Sequence, residues 1–242
     1  MPKAIYADIY KDLKRKIEDG DYAFQEFLPS ENTLVQEYDC SRNTIRRAIA
    51  ALVNDGYVQT MQGKGVRNIF QPTTKTSFTI GGIESFKESA IRNKKTPRTQ
   101  VLCFTDIIAD EKVSERTGFP LGSELIYIQR LHFLDDKALI INHNYFLKEV
   151  VPGLTAEIAE KSIYEYLENE LHISIINSKR IMTVEKMNQI DEKYLNLGDY
   201  NGLAVVSSQT YNSDGIMFEY TQSRHRPDYF RFQDNAVRKP CK

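Results

Sequence analysis

The chain has 242 residues, 41% hydrophobic and 27% charged, and its 32 Lys+Arg against 33 Asp+Glu leave a net charge of −1. That composition suits one large globular domain or two small ones; no run reaches the roughly 18 apolar residues of a membrane-spanning helix, and the polar first residues lack the apolar core of a secretory signal. Three scattered cysteines, Cys40, Cys103 and Cys241, without a CxxC supply neither a disulfide framework nor a zinc knuckle, so a cytoplasmic protein without metal or cofactor is expected, in which any nucleic-acid surface is local.

Ile5, Tyr6, Ile9, Leu13 and Ile17 recur three or four apart, while Lys11, Lys14, Arg15 and Lys16 fill the other face. The spacing predicts an amphipathic helix over residues 5–19, ended by Gly20. Pro29 closes the next loop, and Ser30 caps a short helix over 31–38 that points Leu34 and Val35 inward. Ser41 caps a third helix, to about residue 54, burying Ile45, Ala48, Ile49 and Leu52 until Gly56 stops it. Two extended runs, 57–61 and 66–70, flank Gln62-Gly63-Lys64-Gly65. Three helices and a hairpin in 70 residues predict a winged helix-turn-helix over 1–70.

Residues 71–77 contain one proline and no large apolar side chain, which predicts a linker before a second domain over 78–242. There the pattern changes to extended runs at 126–133, 139–146, 175–184, 203–212 and 216–223, with a helix at 163–171. Asp135-Asp136-Lys137 and Ser213-Asp214-Gly215 read as hairpin turns, so the domain is expected to be α+β around an antiparallel sheet.

Residues 1–70 hold ten basic and ten acidic side chains, but 41–70 hold Arg42, Arg46, Arg47, Lys64 and Arg67 against Asp55 alone. In a winged helix-turn-helix these are the elements that meet a duplex. Arg42 and Arg46 are placed to read guanine in bidentate fashion, Asn43 to read adenine and Thr44 to take a phosphate, while Gly63 and Gly65 let the wing backbone approach DNA with Lys64 at its tip. A basic helix face by itself is more often solvated surface; helix spacing, wing glycines and local charge together favour DNA.

Leu28-Pro29-Ser30-Glu31-Asn32, Ser41-Arg42-Asn43-Thr44-Ile45-Arg46, Leu52, Gly56-Tyr57 and Gly63-Lys64-Gly65 resemble the N-terminal domain of GntR-type bacterial transcription regulators. The resemblance covers about 60 residues and adds Ser30, Glu31 and Arg47 to the expected DNA-facing set. Asn32 stands where the family usually carries Arg.

Ser85-Phe86-Lys87-Glu88 and Ser162-Ile163-Tyr164-Glu165 form two capping boxes, each a helix start suited to an anion. In the run 126–133, Arg130 and His132 share a face with Ile126 and Ile128. An arginine there needs a partner: either Glu219 within the fold or a ligand, and the residues leave both open. His132, His143, His172 and His225 show no metal spacing, and neither a GxSxG elbow nor a glycine-rich phosphate loop occurs, so an enzyme is not expected.

Ser85, Arg130 with His132, Asn142, Ser162 with Tyr164, and Glu219 followed by Ser223-Arg224-His225-Arg226-Pro227-Asp228-Tyr229 resemble the UTRA effector domain of the HutC subfamily, whose fold is related to chorismate lyase. The resemblance implies an effector site of Ser85, Phe86, Lys87, Arg130, His132, Asn142, Ser162, Tyr164, Glu219, Arg224 and His225. A phosphate would lie near Ser85, Arg130, His132, Ser162 and Tyr164, and sugar hydroxyls near Glu219 and His225. His132, Asn142 and His225 replace the Arg, Glu and Tyr common in relatives. The motifs are most similar to trehalose-responsive members, which implies a homodimeric repressor on palindromic operator DNA, released by trehalose 6-phosphate; the alternatives are another phosphosugar, such as an amino-sugar phosphate, or a lyase-related enzyme.

Overall fold

The computed structural model describes residues 2–71, 78–79 and 83–233. The expected linker beyond Gln71, and residues 234–242 of the expected second domain, lie outside them. The chain divides into two compact units near residue 75.

The first unit contains α1 (Pro2–Asp19), α2 (Glu31–Glu37), α3 (Arg42–Asn54) and the hairpin β1 (Val58–Met61) with β2 (Gly65–Asn68). Its core gathers Ile9, Leu13 and Ile17 from α1, Leu34 from α2, Ile45, Ala48, Ile49 and Leu52 from α3, and Val58 and Val66 from the hairpin. Each Leu or Ile so buried contributes about 1.5–3 kcal/mol, which docks helices too short to persist alone. Val35 is only half buried. Lys16 leaves the solvated face expected for it: its Nζ lies 2.7 Å from Glu37, and Tyr38 donates to Asp12 at 2.6 Å, tying α1 to the end of α2. Phe27 adds a one-residue bridge to Arg67 beside the wing.

The second unit runs β3 (Phe78–Thr79), α4 (Phe86–Arg92), β4 (Pro97–Ile108), α5 (Glu111–Thr117), β5 (Glu124–Leu134), β6 (Lys137–Leu147), α6 (Ala156–Lys161), α7 (Ile163–Glu165), β7 (Ile175–Lys186), α8 (Gln189–Tyr194), β8 (Gly202–Asn212), β9 (Met217–His225) and β10 (Phe232–Gln233). Six strands form one antiparallel sheet in the order β4-β5-β6-β9-β8-β7, and β3 pairs with β10 in parallel. The expected runs became strands. β4 was not foreseen, because Val101-Leu102-Cys103-Phe104 breaks the alternation where the strand carries a bulge between Val101 and Cys103. The helix expected at 163–171 is one α-turn continued by a π-turn at Tyr166–Glu170.

The turns obey local chemistry. Asp135 and Asp136, both at positive φ (48° and 64°), make a two-residue hairpin whose twist matches its strands. Asn212 Oδ1 accepts from the Asp214 and Ile216 amides at 3.0 and 2.9 Å, closing the β8–β9 turn. On one sheet face Ile126, Ile128, Phe146 and Phe218 pack under α6 and α7 through Ala159, Ile163 and Leu167. On the other, Leu131, Ile141, Leu203 and Val205 pack against Leu195 and Leu197 around the end of α8. Register then sets the site. Arg130 pairs with Asn142, Asn142 with Ser223 and Ser223 with Val206; in the next row Asn144 pairs with Thr221, Thr221 with Ser208 and Ser208 with Arg180.

Candidate nucleic-acid interface and effector cavity

Ser30 and Ser41 cap α2 and α3, their Oγ atoms accepting from the Thr33 and Thr44 amides at 3.2 Å. The Thr44 hydroxyl, expected on a phosphate, lies 2.8 Å from Ser41 Oγ. Arg42, Asn43, Arg46 and Arg47 are exposed opposite Ile45 and Ile49. Arg42 donates to Asn32 Oδ1 at 2.8 Å, Arg46 donates to both Glu31 oxygens at 3.0 and 3.3 Å, and the Arg47 guanidinium covers the Tyr6 ring at 4.2 Å. Glu31 therefore orients Arg46. An exposed pair of this kind is worth at most about 1 kcal/mol and exchanges readily for a guanine edge. In the wing, Gly63 and Gly65 hold φ of +72° and +117°, a backbone that side chains disfavour, and Lys64 stands exposed between them. Arg67 lies over Phe27 at 4.5 Å instead of pointing outward.

The second unit holds a cavity of about 590 Å³ between the sheet, the start of α4 and the α6–α7 junction. That volume is mid-range for small-molecule sites. Ser85, Phe86, Lys87, Arg130, His132, Asn142, Ser162, Tyr164, Glu219 and His225 all line it. Arg224 does not. Its neighbours in sequence, Ser223 and His225, line the cavity, so strand alternation sends Arg224 to the opposite face. There it donates to both Asp191 oxygens (2.8–3.1 Å), to Glu185 and to the Lys186 carbonyl. It is 4% exposed against an Asp191 at 0%, a buried structural clamp.

Arg130 and Glu219 form no direct ion pair. Asn144 stands between them: its Oδ1 accepts from Arg130 Nε at 3.0 Å, and its Nδ2 donates to Glu219 Oε1 at 3.2 Å and to Thr221 Oγ1 at 2.7 Å. Tyr164 Oη donates to Glu219 Oε2 at 2.8 Å. Burial lowers the Arg130 pKa to about 10, partly offset by Glu219, so the guanidinium stays charged at neutral pH. Burial and then Glu219 push the Tyr164 hydroxyl well above its usual range, which keeps it a donor. Arg130 Nη1 also donates to the Ala159 carbonyl at 3.4 Å, so the result is an arginine answered by an amide and a backbone carbonyl, facing a cavity.

His132 packs against Phe86 in a tilted arrangement (4.4 Å between rings, 39° between planes), with Thr99 Oγ1 2.9 Å from Nδ1 and Asn142 Nδ2 3.0 Å from Nε2. Among the described residues, the buried Asn142 Oδ1 has no hydrogen-bond partner. A missing donor there costs about 1–3 kcal/mol, and a ligand hydroxyl in the cavity would supply it. His132 is held well below its usual pKa by burial, then by the Arg130 charge; burial alone takes His225 to about 3. Both are neutral in the folded state at pH 5, while unfolded histidines titrate near 6.5. The unfolded chain thus binds more protons, stability rises with pH, and the melting temperature is expected to fall as pH drops from 7 to 5. A flat profile would contradict neutral histidines in the cavity wall.

One helix start forms the expected capping box and the other only half of it. At Ser85 the capping box closes, with Ser85 Oγ accepting from the Glu88 amide (3.2 Å) and Glu88 Oε2 from the Ser85 amide (2.7 Å). At Ser162 only half forms: Oγ accepts from the Glu165 amide at 3.3 Å, while the Glu165 carboxylate takes Lys87 Nζ at 2.7 and 2.9 Å. Lys87 therefore straps the two starts together.

Thr99, Asn144, Thr221, Ser178 and Arg180 also line the cavity but were not singled out from sequence. Asn144 and Thr221 were within reach, since each sits two residues from a chosen position on a recognised strand. Thr99 was hidden with β4.

The UTRA domain family matches residues 92–231, and the family described as bacterial regulatory proteins, gntR family, matches residues 5–67. The chain is 36% identical over 233 residues to the HTH-type transcriptional regulator TreR of Bacillus subtilis, covering 96% of this chain and 97% of that protein. The solved effector-binding domain of the B. subtilis trehalose repressor superposes with a TM-score of 0.54 at 34% identity, covering 59% of this chain and 99% of that one. The possible transcriptional regulator YydK of B. subtilis shares the fold at a TM-score of 0.81 and 20% identity, covering 96% and 99% of the two chains.

Proposed function

The chain belongs to the gntR family of bacterial regulatory proteins as a transcriptional repressor of the HutC type, and we propose that trehalose 6-phosphate releases it from its operator to allow trehalose uptake and breakdown. The observation that carries this reading is Arg130, a charged group on a cavity wall met by the Asn144 amide and the Ala159 carbonyl and, among the described residues, by no carboxylate. A phosphate dianion completes it in bidentate fashion, and the surrounding hydroxyl and amide groups suit sugar hydroxyls. The trehalose repressor named among its relatives supports the trehalose part of this reading.

The protein acts in the cytoplasm as a homodimer, two recognition helices meeting half-sites about one DNA turn apart. β7 supports a self-association surface: it is an edge strand whose Ile176, Ile181, Met182 and Val184 are exposed, Val184 at 85%. Such an edge ordinarily demands a cover.

A gel shift on a pseudo-palindromic operator tests the reading. Trehalose 6-phosphate should release the DNA, and trehalose or inorganic phosphate should not; release by trehalose at equal concentration would overturn it. On the same operator, Arg46→Ala should cost about 1–3 kcal/mol and relax preference at one base pair, while Lys64→Ala should weaken all sequences evenly. An Arg46→Ala protein with unchanged base preference would make Arg46 a partner of Glu31 only.

A further inference from the structure

We propose that Arg180 and Ser178 of β7 form a second end of the cavity that grips a neutral sugar ring, so that the site selects a disaccharide phosphate over a monosaccharide phosphate. This inference rests on the sugar-phosphate reading above and adds a specificity-determining residue to it.

Distance is the first support. Arg130 stands on β5 and Arg180 on β7, with β6, β9 and β8 between them. Four strand spacings of ~4.8 Å separate their backbones by roughly 19 Å along the sheet. Both side chains line the same cavity. A hexose phosphate held at Arg130 covers the β5–β6–β9 part of that floor and leaves the β8–β7 part open for a second ring.

The chemistry of that open part is the second support. Ser178, Ser208 and Thr210 line it, with Thr221 and Ser223 beside them on β9. Ser178 Oγ and Thr210 Oγ1 lie 3.4 Å apart. These hydroxyls both donate and accept, as sugar hydroxyls do, whereas a second dianion would want donors alone. Their small size also keeps the floor low, which is what gives a second ring room.

Arg180 itself is the third. Its row runs Asn144, Thr221, Ser208, Arg180 across the sheet, which puts it on the cavity side of β7 together with Ser178, both half buried, between exposed Lys179 and Ile181. Among the described residues it makes no ion pair and no hydrogen bond, and its charge is felt at the Tyr164 hydroxyl. Five N–H donors directed along a hydroxyl-lined wall are matched by the hydroxyl and acetal oxygens of a sugar.

The test measures binding to the full chain of trehalose 6-phosphate, glucose 6-phosphate and inorganic phosphate by calorimetry and thermal shift. Wild type is expected to bind trehalose 6-phosphate at least ~10-fold more tightly than glucose 6-phosphate, and Arg180→Leu to reduce that ratio by about tenfold with an unchanged ligand-free melting temperature, a difference of about 1.4 kcal/mol. Arg180→Lys, which keeps the charge and loses the fork, should recover only part of the ratio. An Arg180→Leu protein that binds both phosphosugars like wild type overturns the inference and leaves a solvated edge-strand arginine. Equal weakening of both overturns it too, since Arg180 would then serve the phosphate. If wild type binds neither phosphosugar, the sugar-phosphate reading fails, a result distinct from both.

Discussion

Arg130→Ala is expected to hold operator DNA at near wild-type affinity yet to need at least ~10-fold more trehalose 6-phosphate for release, the equivalent of about 1.4 kcal/mol or more. An inducer shifts a two-state equilibrium only by its difference in affinity for the two states, so weakening the phosphate contact weakens release directly and leaves DNA binding alone. The fold should survive. Removing the guanidinium strips one donor from Asn144 Oδ1, but Asn144 Nδ2 still reaches Glu219 and Thr221, and Glu219 keeps Tyr164. A cost of about 1–3 kcal/mol in stability is expected from the orphaned acceptor, separable from the inducer effect by measuring melting and release on one preparation. Arg130→Lys should fall between, because an ammonium supplies charge without the planar fork. Release of Arg130→Ala at the wild-type inducer concentration would make Arg130 a structural partner of Asn144 and put the anion elsewhere.

Arg224→Ala is expected to do the reverse, removing about 3–5 kcal/mol of stability while leaving inducer affinity intact in the protein that remains folded. Breaking one partner from a buried ion pair leaves the other uncompensated in a poor dielectric, and here Asp191 is fully buried beneath Arg224. Asp191 is also the capping-box acid of α8, accepting from the Asn188 amide at 2.9 Å, so the loss should reach that helix. For a unit of this size the melting temperature should drop by roughly 6–20 °C. An apolar pair, Arg224→Met with Asp191→Leu, should recover much of it. If Arg224→Ala instead melts like wild type and binds inducer weakly, Arg224 reaches the ligand after all.

Local signals were enough for the DNA-binding half. Its helices announce themselves by an apolar residue every three or four positions, by Ser30 and Ser41 at caps and by Gly56 at a stop, and all of these act within a few residues of chain. The exposed face of α3 follows from the buried one, so Arg42, Asn43, Arg46 and Arg47 could be placed by counting. Their partners could not: Glu31 and Asn32 reach α3 only because the turn between α2 and α3 folds back.

In the second unit every strand of the main sheet but β4 was legible, and their order was not. Alternation shows that a run is extended and which residues share a face, yet it carries no information on which strand lies beside which. That is why Glu219, like Arg130 correctly assigned to a strand, stood beside a ligand as a candidate partner for Arg130: only the placement of β6 between β5 and β9 inserts Asn144 between them. The same pairing brings Arg180, 50 positions away in sequence, to the far wall of the cavity that Arg130 enters. Arg224 failed for a different reason. It sits inside a run of polar residues, Gln222-Ser223-Arg224-His225, in which hydrophobicity marks neither face, and the period of two has no phase until a neighbouring strand and α8 supply one. The amino-acid sequence by itself thus determined most of the elements, their caps and the candidate binding residues, because those depend on near neighbours; tertiary structure decided which of them meet, because strand order and the choice of buried face are settled by packing between segments far apart in the chain.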